Sequence, residues 1–127
     1  MPAQLGFPKS ARLRRRAEYL AVKAEGASFA EGPLAASFRP RAEAPTRPGM
    51  LPAVARVGVT VSSKVGEAVV RSRVKRKLRE AIRQELSLLP PVDLVIVARA
   101  SAVQAGVAEL RAWLRRAATR IRKELAP

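Results

Sequence analysis

Cysteine and histidine are both missing from this chain of 127 residues. The first absence excludes disulfides, thiolate zinc sites and cysteine nucleophiles. The second removes the Ser-His-Asp relay and the imidazole general base. There is a single Asp, Asp93, and no carboxylate lies near it in sequence to complete an acid/base or metal-holding pair. These residues do not equip the polypeptide to break bonds by itself. Aromatics are sparse, one Trp, one Tyr and three Phe, which leaves a thin core built largely from Ala, Val and Leu. No apolar run approaches the roughly 18 residues that cross a bilayer, and the N-terminus lacks the apolar stretch of a signal peptide. Both observations point to the cytoplasm, and the length fits one domain over residues 1–127.

Positive charge is what the chain has in excess. Twenty-five Lys and Arg against ten Asp and Glu give a formal charge of +15. Charge of one sign repels itself and favours a polyanionic partner, either nucleic acid or an anionic membrane surface.

Residues 1–10 read as an irregular arm. From Ser10, a candidate N-cap, Leu13, Ala17, Leu20, Ala21 and Ala24 recur at helical spacing and predict a helix over 11–25, stopped at Gly26. Arg12, Arg16, Tyr19 and Lys23 fall at i, i+4, i+7 and i+11 of that helix, a basic stripe containing the chain's one Tyr. Such a stripe can be a solvated face, or its cations can hold phosphates while the ring stacks on a base. Residues 34–39 predict a short strand with Leu34, Ala36 and Phe38 on one face. Pro40, Pro45, Pro48 and Pro52 mark 40–53 as a Pro-rich loop. In residues 56–62, RVGVTVS, Val57, Val59 and Val61 alternate with Gly58, Thr60 and Ser62. This strand buries one face, and its small polar face is either solvated or the floor of a shallow groove.

Gly66 allows a sharp turn, and a helix is predicted from about Ser72 with Val74, Leu78, Ala81, Ile82 and Leu86 as its apolar stripe, ended by Pro90 and Pro91. Residues 93–99 form an apolar run expected of a strand buried on both sides. A last helix, capped near Ser101, carries Val107, Leu110, Leu114, Ala117, Ile121 and Leu125 inward, with Trp113 beside them as a core or edge residue. The order α-β-β-α-β-α predicts an α+β, two-layer domain, a small sheet with helices on one face and the other face partly free.

Six Lys or Arg occupy positions 71–79: Arg71, Arg73, Lys75, Arg76, Lys77 and Arg79. On the predicted helix Arg73, Arg76 and Arg83 lie opposite the apolar stripe, with Arg79 at the margin. Arg71 and Arg73 sit where the connection ends, and Ser72 can cap the first turn, whose free N–H groups add to the attraction for phosphate. The self-repulsion is offset when phosphates bind and counterions leave. If about six phosphates are neutralised, affinity falls roughly a thousandfold between about 50 and 200 mM salt. The apolar stripe is needed for the core, so no face is left to enter a membrane. Charge alone does not separate RNA from DNA.

RVGVTVSSKVGEAVVRSRVKRKLREAIR resembles the signature of the bacterial ribonuclease P protein component, in which a strand, a Lys-Gly turn and an Arg-Asn-Arg helix follow in this order. RLRRRAEYLAVKAEG, DLVIVAR and the closing helix are similar to that family too, over roughly residues 12 to 122. The resemblance implies a left-handed β-α-β crossover, where the usual rule gives a right-handed one. It implies a small basic subunit that assists a catalytic RNA in removing the 5′ leader of precursor tRNA, with hydrolysis carried out by RNA-bound Mg²⁺. No membrane and no obligate protein partner is implied. By position, Lys64, Arg71, Ser72, Arg73, Lys75, Arg76 and Arg79 would meet the catalytic RNA, and Arg12, Arg16, Tyr19, Lys23, Thr60 and Ser62 the leader. Ser72 stands where the family has Asn, Ser63 where it often has Lys, Glu67 where Asn is common, and Lys23 and Ser37 where aromatics are usual, which shifts leader binding toward charge. Two further classes stay open, a structural RNA-binding protein of the ribosomal kind and a metal-independent nuclease.

Overall fold

The computed structural model describes residues 12–13, 15–40 and 55–125. Its elements run α1 (Arg16–Glu25), β1 (Ala27–Glu31), β2 (Leu34–Pro40), β3 (Arg56–Thr60), α2 (Ala68–Glu85), β4 (Val92–Ala98) and α3 (Val107–Leu125). Short 3-10 turns lie at Ser63–Val65, Leu86–Leu88 and Ala100–Val103. The predicted arm 1–10, with its Ser10 cap, and the Pro-rich segment beyond Pro40 lie outside the described residues.

The strands form one sheet in the order β1-β2-β4-β3. β1 and β2 are an antiparallel hairpin, β2 and β4 are antiparallel, and β3 and β4 are parallel, joined through α2. β4 holds the inner place because its apolar run needs cover on both sides. Leu94 and Ile96 enter the main core with Val74, Leu78 and Ile82 of α2 and Leu110, Leu114 and Ile121 of α3. Val95 points the other way, into a second cluster with Leu13 and Val22. Trp113 is a core residue, 1% exposed, stacked on Phe29 at 5.7 Å, with its indole N–H donating to Glu31 O at 2.8 Å.

The α+β class, the small sheet and the three helices agree with the sequence reading, while several details correct it. β1 is an additional strand, so the order is α-β-β-β-α-β-α. Its sequence, ASFAE, buries Phe29 alone and exposes the rest, too short a pattern to register as alternation. The helices do not share one face, because α1 covers the face opposite α2 and α3. That second cover follows from β4, whose odd and even side chains are both apolar.

Helix starts also move. α1 begins at Arg16 rather than near Ala11, because Arg12 bridges Val57 and Leu13 N–H donates to Val57 O at 3.1 Å. The open edge of β3 thus takes the backbone that the first helical turn would have used. α2 begins at Ala68, a turn before Ser72, which lies inside the helix and caps nothing. Gly66 makes the early start possible: its φ is 155°, a region closed to most side chains, and a Cβ there would lie 3.0 Å from Val70. Ser101 sits in the 3-10 turn, and α3 starts beyond Gly106.

Candidate nucleic-acid interface

α2 carries the cationic cluster on its outward side. Ser72, Arg73, Arg76 and Arg79 are exposed, Arg71 and Lys75 are half-buried, and Val74, Leu78, Ala81 and Ile82 face the core. Ser72, Lys75, Arg76, Arg79 and Arg83 line a concavity of about 700 Å³, and Arg12 joins them from its place along β3. Arg12 is therefore not on the α1 stripe, and the structure brings it to the α2 cations. Arg83 is ion-paired with Glu80, which raises the guanidinium pKa and lowers that of the carboxyl. Arg71 Nε is shielded from solvent and has no acceptor among the described residues. Lys64 stands exposed on the 3-10 turn that leads into α2.

Lys77, the fifth cation of the run, turns inward. Its ammonium donates to Ala102 O at 3.1 Å, Val103 O at 2.9 Å and Ala105 O at 2.7 Å. All three of its protons are used on these carbonyls. The residue fastens α2 to the connection between β4 and α3, and its ammonium is not available to a ligand.

Tyr19 lies across the strand face that the alternation left small and polar. A Cβ on Gly58 would sit 2.5 Å from Tyr19 Cζ and Oη, so only glycine admits the ring this close to β3. Its hydroxyl donates to Leu13 O at 3.0 Å. Burial raises the phenol pKa above its usual 10.0, against the Val59 backbone hydrogen bond and the charge of Arg79, which both lower it. With its hydroxyl anchored, Tyr19 offers a fixed ring. Arg16 and Lys23 are exposed one turn before and after it on α1. Thr60 and Ser62 alternate with Val59 and Val61, on the Gly58 side. The Tyr19 face and the α2 face are neighbours, since Arg12 lines the α2 concavity and the next residue, Leu13, accepts from the Tyr19 hydroxyl.

A charged lattice holds α1 at this height above the sheet. Buried Asp93 has Arg39 and Arg56 as its cross-strand partners in β2 and β3. Arg56 Nε and Nη2 donate to the two Asp93 oxygens, both at 2.9 Å, and Arg39 Nε lies 3.5 Å from Oδ2. The same arginines reach α1: Arg56 Nη1 donates to Glu18 at 2.8 Å and Arg39 Nη1 to Glu25 at 2.6 Å. The Asp93 hydrogen bonds are the main reason that the Arg56 pKa rises. No helix among the described residues is long and apolar enough to cross a membrane.

Comparison with known proteins decides between the polyanion readings. Residues 7–122 match the family model described as Ribonuclease P. The chain belongs to the ribonuclease P protein family. The ribonuclease P protein component of Citrifermentans bemidjiense is 37% identical over 120 residues, 94% of this chain and 96% of that protein. That of Brucella melitensis biotype 1 is 40% identical over 111 residues, 85% of this chain and 77% of that protein. The RNase P protein from Thermotoga maritima has a TM-score of 0.70 at 27% identity, covering 86% of this chain and 96% of that chain. The Staphylococcus aureus protein shares the fold, with a TM-score of 0.72 at 24% identity over 91% and 97% of the two chains. Ribonuclease P is an endoribonuclease holoenzyme containing RNA, and this chain is its protein subunit in tRNA 5′ processing.

Within this ribonuclease P protein, three elements escaped the sequence reading. Alternation makes Gly58 one small residue of an open face, whereas in the structure it is the seat of Tyr19. Asp93 lacks a carboxylate neighbour in sequence, and its partners in the structure are arginines from two other strands. The available signal was its position: an acid at the start of a fully buried strand needs charged donors, and Arg39 and Arg56 end and begin the adjacent strands. Lys77 belongs to the basic run by composition, but helical spacing puts it beside Val74 and Ala81, and its ammonium is spent on backbone carbonyls.

Proposed function

We propose that the outward face of α2 seats on the catalytic RNA of ribonuclease P and that the trough beside it carries the single-stranded 5′ leader of precursor tRNA. Lys64, Arg71, Arg73, Lys75, Arg76 and Arg79 contact the catalytic RNA, chiefly through phosphates, and Ser72 adds a hydroxyl among them. Arg12 serves this surface rather than the leader. Tyr19 supplies a ring for stacking, Arg16 and Lys23 flank it with charge, and Thr60 and Ser62 line the floor with hydroxyls. Mg²⁺ held mainly by the RNA supplies the hydrolytic chemistry, while the chain's own residues bind and orient the two RNAs in the cytoplasm, as one domain over residues 1–127.

The observation that carries this reading is adjacency. A segregated cationic helix and the Tyr19 face meet at Arg12 and Leu13, the first lining the α2 concavity and the second accepting from the Tyr19 hydroxyl, so one protein can hold catalytic RNA and leader side by side. The test is reconstitution with the catalytic RNA at limiting Mg²⁺. The chain is expected to restore cleavage of precursor tRNA and to cleave nothing without the RNA. No gain in the reconstituted reaction, with tight binding to ribosomal RNA instead, would favour a structural RNA-binding role. Leader removal by the purified chain alone would refute the division of labour.

A further inference from the structure

Valine on the outside of α2 is out of place. Val69 is 63% exposed in its first turn, and Val103, on the 3-10 turn opposite, is 38% exposed. Each borders a recess. One, of about 340 Å³, is lined by Val70, Val74 and Val103 with Arg73, Arg76 and Lys77. The other, of about 310 Å³, lies across the same arginines, between Ala68, Val69 and Ser72. Arg73 and Arg76 thus form a ridge with an apolar slot on either side.

The walls suit a particular ligand. Lys77 lines the first slot, but its ammonium protons are taken by Ala102, Val103 and Ala105, so it contributes its methylene stem and a rigid wall. The slot is apolar within and cationic at the rim. A flat, uncharged ring attached to a phosphate satisfies both parts: the ring displaces water from the valines and lies along a guanidinium plane, and the phosphate meets the ridge. A base-paired helix stacks its base faces on one another and shows only their edges, so a ring that enters a slot must come from an unpaired nucleotide. An apolar protein side chain would fill the slot but leave the arginines without counter-charge.

From this we infer that the paired slots at Val103 and Val69 take splayed-out nucleobases of the catalytic RNA, so that α2 reads an unpaired element as well as holding phosphates. The inference rests on the seating of α2 proposed above. It is tested on the complex of the full chain with the catalytic RNA, using Val103→Ser and Val69→Ser. Both positions are exposed, so folding is preserved. Each variant is expected to lose about fivefold to tenfold in affinity, the equivalent of a buried methyl or two. The loss should be the same at every salt concentration, because a base contact releases no counterion. Dimethyl sulfate and carbodiimide probing should show one or two unpaired bases protected by the natural chain and exposed again in the variant. Affinities within twofold of the natural chain, a shallower salt dependence, or no base protected at all would overturn the slots. Arg79→Glu separates the two claims: if it leaves assembly intact, the seating of α2 itself is wrong, whereas lost assembly with silent valine variants removes the slots alone.

Discussion

Adding one methyl group to Gly58 tests the trough more sharply than removing Tyr19. In Gly58→Ala the new Cβ would stand 2.5 Å from Tyr19 Cζ and Oη and 2.8 Å from Cε2. Nonbonded carbons settle at about 3.5 Å or more, so the ring must rise by about 1 Å. Its hydroxyl resists, being held on Leu13 O. Overpacking of this kind costs about 1–3 kcal/mol. Against it stands a gain of roughly 0.5–1 kcal/mol, because alanine has less backbone freedom to lose in a strand. The single variant should therefore be destabilised by about 0–2.5 kcal/mol. In a Tyr19→Ala background the clash vanishes, and the same substitution should stabilise by about 0.5–1 kcal/mol. Urea unfolding of the four proteins gives the coupling directly. For function, the displaced ring should lose its stack, weakening leader-bearing precursor by about 1–3 kcal/mol in both single variants, while mature tRNA binds as before. Equal stability changes in both backgrounds, or a leader affinity untouched by Gly58→Ala, would show that the ring does not depend on the missing Cβ.

Tyr19, the one Tyr, gives an optical signal of its own. Its folded pKa lies above 10.0 through burial, so above about pH 10 the folded chain keeps a proton that the unfolded chain releases, and stability falls as pH rises through the folded value. A phenolate absorbance titration at the ordinary midpoint would contradict this. Asp93→Ala removes the acceptor from two arginines that water partly reaches, and should cost about 3 kcal/mol in urea unfolding, the lower end for a broken buried pair. A loss under about 1 kcal/mol would place the tethering of α1 elsewhere. Reversing Arg76 and Arg79 to Glu should weaken assembly with the catalytic RNA and reduce the salt slope by about two contacts, read in filter-binding titrations. Unchanged assembly would move the RNA surface off α2.

Much of this was readable where one residue's neighbours in sequence are also its neighbours in space. The stripe Val74, Leu78, Ala81 and Ile82 is buried as helical spacing requires, and Leu34, Ala36 and Phe38 face the core as strand alternation requires. Long-range partners were not readable. The start of α1 depends on a carbonyl of Val57, 44 residues along by number from Leu13 (57 − 13), and no local preference reports that. The same holds for Lys77, whose acceptors lie in a 3-10 turn after β4. Gly58 shows the limit most plainly, because glycine in a strand signals that something approaches without saying what.

The acids have a consequence beyond the bonds they make. Glu18, Glu25 and Asp93 neutralise arginines between α1 and the sheet, Glu85 does so between α2 and α3, and Glu31 and Glu124 do so along α3. The stretch from Ser72 to Arg79 contains no carboxylate. Negative charge is thus kept off that stretch of α2, and the molecule carries an electric moment as well as a net charge. In the field of a folded RNA that moment exerts a torque, turning a randomly oriented chain until α2 leads. Salt that shortens the reach of this field should slow encounter before it loosens the finished complex.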